Sequence, residues 1–324
     1  MRQLIGYAMS AIVMVTVVYA FAPRSPAPMA ATVLHTDRVQ INDMLANDQQ
    51  LVAVGERGTI LLSADQGKSW QQAQLSKQRD ATLTGVVALT PSVLVVVGND
   101  GWILRSQDAG KTWQEVRYDV ERAEPLLGVW ADSERHVAAF GSNGKFLEST
   151  DGGLSWLQRE VSVDGYHLNG MDGGHDGRQM LVGEQGMVLR SVDHGANWES
   201  LPAFYNGSLF GVVRLSPERW VAYGMRGHIF VTQDFGLSWK QVEVGNNLPL
   251  YGHVRLPGNA GLVIVGAEST LVRLDAGGAL HDITRRAGLG TLTSAVVLNG
   301  QDVLVAGEHG VSQGAGGSLA AVGH

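Results

Sequence analysis

The chain has 324 residues, 44% hydrophobic and 17% charged, with 42 glycines and 9 prolines, which excludes a disordered polyelectrolyte, a coiled coil and a collagen-like chain. A net charge of −7 and a pI near 5.8 argue against nucleic acid as the main partner, because phosphate contacts need clustered Lys and Arg. The absence of cysteine excludes disulfides, thiolate catalysis and cysteine-ligated zinc or iron–sulfur centres.

Arg2 is the only charge ahead of an apolar run from Leu4 to Phe21. Such a run is near the ~17–25 residues that span a bilayer, and longer than the apolar core of a typical signal peptide. Ala20-Phe21-Ala22 has the small-x-small form of a cleavage site, and Arg24-Ser25-Pro26-Ala27-Pro28 reads as an extended linker. Residues 1–30 are therefore expected to form an apolar export helix, cleaved or kept as an anchor. Residues 31–324 are then expected outside the cytoplasm, in a periplasm or lumen.

The remainder is repetitive. A Gly-x-x-Gly pair recurs at Gly55/Gly58, Gly98/Gly101, Gly141/Gly144, Gly183/Gly186, Gly224/Gly227 and Gly307/Gly310, with Gly266/Ser269 as a variant copy. Successive first glycines lie 43, 43, 42, 41, 42 and 41 residues apart. A β-branched, apolar run precedes each pair, and a further short strand upstream starts at Ile41, Leu83, Leu126, Leu168, Leu209, Leu250 or Leu292. No helical period is sustained after residue 30. Four short strands in ~40–45 residues is the spacing of a propeller blade. The expected fold is an all-β, seven-bladed β-propeller of four-stranded antiparallel blades. Blade 7 lacks its last strand, so residues 31–37 are expected to supply it and join the ends.

Downstream of each pair stands a second signature, S/T-x-D-x-G-x-x-W. It reads Ser63, Asp65, Gly67, Trp70, then Ser106, Asp108, Gly110, Trp113, then Ser149, Asp151, Gly153, Trp156. It returns as Ser191, Asp193, Gly195, Trp198 and as Thr232, Asp234, Gly236, Trp239, while blade 6 has Leu274, Ala276, Gly278 and His281 instead. The Asp can accept backbone N–H bonds and fix a turn, Gly supplies the backbone angle, and Trp packs between sheets. Five equal copies suit architecture better than a single catalytic constellation.

Up-and-down strand order places the Asp turns, which join the third and fourth strands, on one face. The Gly-x-x-Gly turns and the loops between blades fall on the opposite face. The repeat is the Asp-box, or bacterial neuraminidase repeat. Combined with the glycine pair, as from Gly98 to Trp113, it resembles the photosystem II assembly and stability factor family over about residues 31–310. The resemblance implies an exported, non-enzymatic propeller that holds a membrane-complex subunit, or an envelope transporter accessory in a non-photosynthetic host.

The alternative is an Asp-box glycoside hydrolase of sialidase type. Its two carboxylates would stand ~5–10 Å apart, but Glu56, Asp100, Glu184, Glu268 and Glu308 are spread one per blade and read as solvated turn residues. The ten histidines show no metal-binding spacing, and Asp172-Gly-Gly-His-Asp176 lacks the carboxylate pattern of a calcium loop. No cofactor and no metal are expected. The interface expected for a protein client is the face opposite the Asp turns. Its loops carry Arg79, Arg117, Arg122, Arg159, Tyr166, Tyr205, Arg285 and Arg286, and its turns carry Arg57 and Arg226. Arg and Tyr on loops of a rigid scaffold are common interface anchors.

Overall fold

The computed structural model describes residues 2–21, 38–47, 50–285, 288–298 and 302–312. An α-helix runs Arg2–Phe21 and belongs to a unit separate from the β-structure. Counted over the described residues, no helix is long and apolar enough to cross a membrane.

The β-unit is a wheel of seven blades. Its inner strands are Ile41–Asn47, Leu83–Ala88, Leu126–Ala131, Leu168–Gly173, Leu209–Arg214, Leu250–Arg255 and Leu292–Leu298, starting at the residues expected from the repeat. Blades 1 and 3 to 6 are four-stranded antiparallel sheets in chain order. Second strands such as Leu94–Gly98 and Leu262–Gly266 are buried on both faces, which explains their unbroken apolar sequence. The core lies between neighbouring blades, as where Val54 and Ile60 of blade 1 pack with Leu83 and Val96 of blade 2.

Every inner strand carries a bulge after its first residue. The third residue there is glycine in five blades, and a Cβ on Gly252 would lie 2.0 Å from the Thr293 carbonyl of the next blade. Blades 1 and 7 carry Asp43 and Ser294 instead, and these two side chains bond each other at 3.0 Å. The Met44 N–H also donates to Ser294 Oγ at 3.0 Å, and Thr293 Oγ1 donates to the Ile41 carbonyl at 2.6 Å. The last blade thus closes on the first. Within the described residues blade 7 has three strands, and the closing strand expected at 31–37 lies outside them.

Blade 2 departs from the expected pattern. After a two-residue outer strand, Gln71–Gln72, the chain of blade 1 crosses over, and Gln74–Leu75 pairs in parallel with Thr112–Arg117, the outer strand of blade 2. This strand covers Trp113, which is fully buried. The other four Asp-turn tryptophans are half-buried, and Trp156, Trp198 and Trp239 pack against the cores between neighbouring blades as expected.

Candidate protein interface

Backbone bonds fix which loops share a face. The Gly58 N–H donates to the Ala81 carbonyl, Asn99 to Thr82, Gly144 to Tyr166 and Gly186 to Gly207, each joining a Gly-x-x-Gly turn to a loop between blades. On the other face Ala109 donates to Ser92, His194 to Gly177 and Phe235 to Glu218, joining Asp turns to the loops between first and second strands. The two faces are therefore built as the strand order requires.

The Asp turns are internally spent. Asp151 accepts Ser149 Oγ at 2.8 Å, the Ser155 N–H at 2.9 Å and Ser155 Oγ at 2.6 Å, while Ser149 Oγ accepts the Gly153 N–H at 2.8 Å. The same bonds recur around Asp65, Asp108, Asp193 and Asp234. Hydrogen bonds from Ser69, Ser155 and Asn197 hold the carboxyls of Asp65, Asp151 and Asp193 down at about 2. Such groups are fixed anions with their lone pairs engaged, unsuited to moving protons near neutrality. In blade 6 Asp275 takes over, accepting the Gly277 and Ala279 N–H groups at 2.8 and 2.9 Å.

The acids of the opposite turns are not paired with each other. Glu56, Glu184 and Glu308 accept the N–H of Gln40, His167 and Thr291, the residue just ahead of each inner strand. They brace strand entry, a job beyond the solvated turn expected for them. The carboxylates of Asp172-Gly-Gly-His-Asp176 are also spent: Asp172 pairs with Arg255, and Asp176 with Arg214 at 2.7 Å.

Six of the ten expected interface residues divide into three pairs. Arg79 forks onto Glu115 at 2.6 and 2.9 Å and lies 3.6 Å over the Tyr118 ring, and its bonds hold Glu115 down at about 2. Arg117 pairs with Asp119 at 2.9 Å. These two are tied into the scaffold. Arg57 and Arg285 are exposed and stand 3.7 Å from Asp80 and Glu268, loose enough to exchange partners. Arg122 and Arg226 are exposed and have no acidic partner among the described residues.

Tyr166 is 37% exposed, and its carbonyl accepts the Gly144 N–H. Tyr205 donates to the Met225 carbonyl at 3.3 Å and packs edge-on to His228, and burial pushes its phenol up. Arg286 lies outside the described residues.

Arg159 is corrected. Its guanidinium bonds Glu148 at 2.9 Å and the Ala196 carbonyl, which belongs to the Asp turn of blade 4. Arg105 reaches Gly152, and Arg190 reaches Phe235, in the same way. The Arg159 N–H donates to the Phe146 carbonyl, just past a Gly-x-x-Gly turn, while its guanidinium ties one blade to the next through the Asp turn, so its charge is already spent.

One feature of this face follows from aligning the inner strands. The second residue donates to the first carbonyl of the next blade from Asn42, Thr84, Asn169 and Thr293, at 2.7, 2.7, 2.9 and 2.6 Å. Leu127, Phe210 and Tyr251 stand at that position in blades 3, 5 and 6. Phe210 and Tyr251 stack with ring centres 5.5 Å apart, and Tyr251 is 39% exposed. The strand-by-strand alignment carries this signal; a search for loop arginines misses it.

Comparison with known proteins fits this geometry. The profile of the family described as Photosynthesis system II assembly factor YCF48 matches residues 29–107 and 106–288. The chain belongs to that family. Among solved structures it is similar to YCF48 from Cyanidioschyzon merolae, at 15% identity and a TM-score of 0.68, over 88% of this chain and 96% of that one. A structure described as YCF48 bound to D1 peptide matches at 16% identity and TM-score 0.68, over 89% of this chain and 96% of that one. The WD40 propeller domain of Doa1 matches at 14% identity and TM-score 0.68, over 84% and 91% of the two chains, which shows that the wheel alone is shared beyond the family. No curated protein matches the sequence.

Proposed function

We propose that this propeller is a non-catalytic, exported scaffold that holds a segment of a membrane-complex subunit on the face opposite its Asp turns. The observation that carries the reading is where the unspent groups lie. The Asp-turn carboxylates are consumed by their own turns, whereas Arg122, Arg226 and the Phe210–Tyr251 stack are held open on the other face. Exposed arginine beside aromatic surface is the composition of a binding hot spot, with charge giving orientation and rings giving buried area. Membership of an assembly-factor family, one structural relative of which is described as bound to a D1 peptide, supports a peptide-like client. The apolar sequence of Arg2–Phe21 supports export or anchoring, with the propeller in a periplasm or lumen.

The test is affinity purification from solubilised membranes using the wild-type chain, Arg122→Glu/Arg226→Glu and Phe210→Ala/Tyr251→Ala. Each double variant should recover at least about tenfold less of the wild-type client, with the arginine pair unfolding at the wild-type temperature and the aromatic pair within a few degrees of it. Equal recovery by both variants would remove this face from the mechanism. Cell fractionation with amino-terminal sequencing tests export.

A further inference from the structure

A second site lies on the Asp-turn face, between blades 5 and 6. There a cleft of about 230 Å³ is lined by Arg214, Arg219, Arg255, Ser216 and Asn259 over an apolar side that includes Leu256. Three guanidiniums are gathered there against two carboxylates. Arg214 bonds Asp176 at 2.7 Å and its Nε faces the Ser216 carbonyl at 3.4 Å. Arg255 pairs with Asp172, and its Nε donates to the Arg214 carbonyl at 3.1 Å. Arg219 has no acid partner: its Nε donates to Gln233 Oε1 at 2.7 Å and its Nη1 to the Ala276 carbonyl at 3.0 Å. These bonds leave Nη1 of Arg255 and Nη2 of Arg219 without a protein acceptor among the described residues, whereas the Arg214 guanidinium packs against Gly174 of blade 4 and supplies charge from the side. Arg219 Nη2 is not sealed from solvent, and the Arg255 side chain is 49% exposed.

We propose that this cleft binds a small oxyanion, a carboxylate or a phosphate. Neither Asp nor Glu lines it, though Asp275 flanks the lining residue Ala276, so an entering anion meets the Arg219 guanidinium, which has no acid partner among the described residues, in a partly enclosed site. There Coulomb attraction is several-fold stronger than in bulk water. Guanidinium forks match the paired oxygens of both anion classes, and bonds between charged partners are the strong ones. Leu256 and the small volume favour a compact ligand with a short apolar group. The same charge repels metal cations. The tyrosine and glutamate of a sialidase nucleophile pair are absent from the lining, so the site binds and has no nucleophile of that kind. It stands on the face opposite the proposed client surface and is independent of that reading.

The experiment titrates the full chain at low salt with two probes, inorganic phosphate and N-acetyl-leucine, followed by calorimetry. Saturable binding of phosphate alone assigns a phosphate site. Binding of N-acetyl-leucine alone assigns a carboxylate site, and binding of both assigns an oxyanion site without further selection. In each case Arg219→Gln should weaken binding about tenfold or more, and added NaCl should weaken it further. Arg219→Lys, which keeps the charge and loses the fork, should fall between. Arg219 makes only rim bonds to Gln233 and Ala276, so these variants should unfold at the wild-type temperature. No saturable binding up to about 50 mM of either probe overturns the proposal. Equal binding by Arg219→Gln, or an equal loss in Arg57→Gln, whose exposed side chain stands beside Asp80 on the opposite face, does so too.

Discussion

Replacing the five Asp-turn tryptophans by alanine, one at a time, should produce unequal losses of stability. Trp113 is fully buried under Gln74–Leu75, and its Nε1 donates to the Gly110 carbonyl at 2.7 Å. A buried tryptophan hides about 200 Å², which at about 25 cal/mol per Å² is at most ~5 kcal/mol. The loss on truncation, including the cavity left behind, should be about 4 kcal/mol. Trp70 and Trp156 are half-buried at the rim and make longer Nε1 bonds of 3.1 and 3.2 Å. Water fills the space their rings leave, so no sealed void forms, and the cost should be about 1–2 kcal/mol. Trp198 and Trp239 have buried Nε1 atoms without a partner, so removing the ring also removes an unmet donor, and their cost should sit at the lower end. In calorimetry the melting temperature should fall by roughly 10 °C for Trp113→Ala and by about 3–5 °C for the rim variants. Five equal losses, or a rim variant costing as much as Trp113→Ala, would refute the assignment of burial to the crossing strand.

Two further outcomes follow from the ring itself. Burial pushes the Asp43 carboxyl up to about 6, against the opposing bonds from the Val86 N–H, Ser294 Oγ and the Met44 N–H. Its raised value means that the stability it contributes is full below an ordinary carboxyl pKa of 3.8 and is lost as pH rises through 6. Because Asp43 keeps some surface and solvent screens its charge, this contribution amounts to about 1–2 kcal/mol. The stability advantage of wild type over Asp43→Asn, from urea unfolding, should shrink by that amount between pH 4 and 6.5; a constant difference would refute it. Gly252→Ala places a methyl against the Thr293 carbonyl of the next blade. It should cost about 3 kcal/mol or more in the same assay, whereas Gly245→Ala, with open space around it but a positive φ of 68°, should cost about 1 kcal/mol.

The wheel was legible because each repeat carries its own local instructions. Gly98 must let the Thr82 carbonyl approach, and Asp108 must hold the N–H of Thr112, whatever lies elsewhere in the chain. Such constraints recur at one spacing and can be counted. What could not be read depends on partners supplied by another blade. Arg79 is held by Glu115, which lies 36 residues on, so a loop arginine that reads as free is already neutralised. Arg159 turns toward Ala196 because the next Asp turn presents a carbonyl there. The crossing of Gln74–Leu75 has no local signal, since those residues pair at the rim of a neighbour. Leu127, Phe210 and Tyr251 became informative only once four equivalent side chains were seen to bond the next blade.

The outer edges of the blades also bear on how the protein behaves when crowded. Most are too short to template another sheet: Gln71–Gln72, Leu157–Gln158 and Glu199–Ser200 span two residues each. Among the described residues, the two long ones are guarded differently. Thr112–Arg117 is capped by the crossing segment, and Leu280–Arg285 presents His281, Asp282 and Arg285 to solvent. Among the described residues, charge and occupancy thus deny incoming strands a free ladder on blades 2 and 6, so concentrated copies of the wheel gain little by pairing edge to edge there.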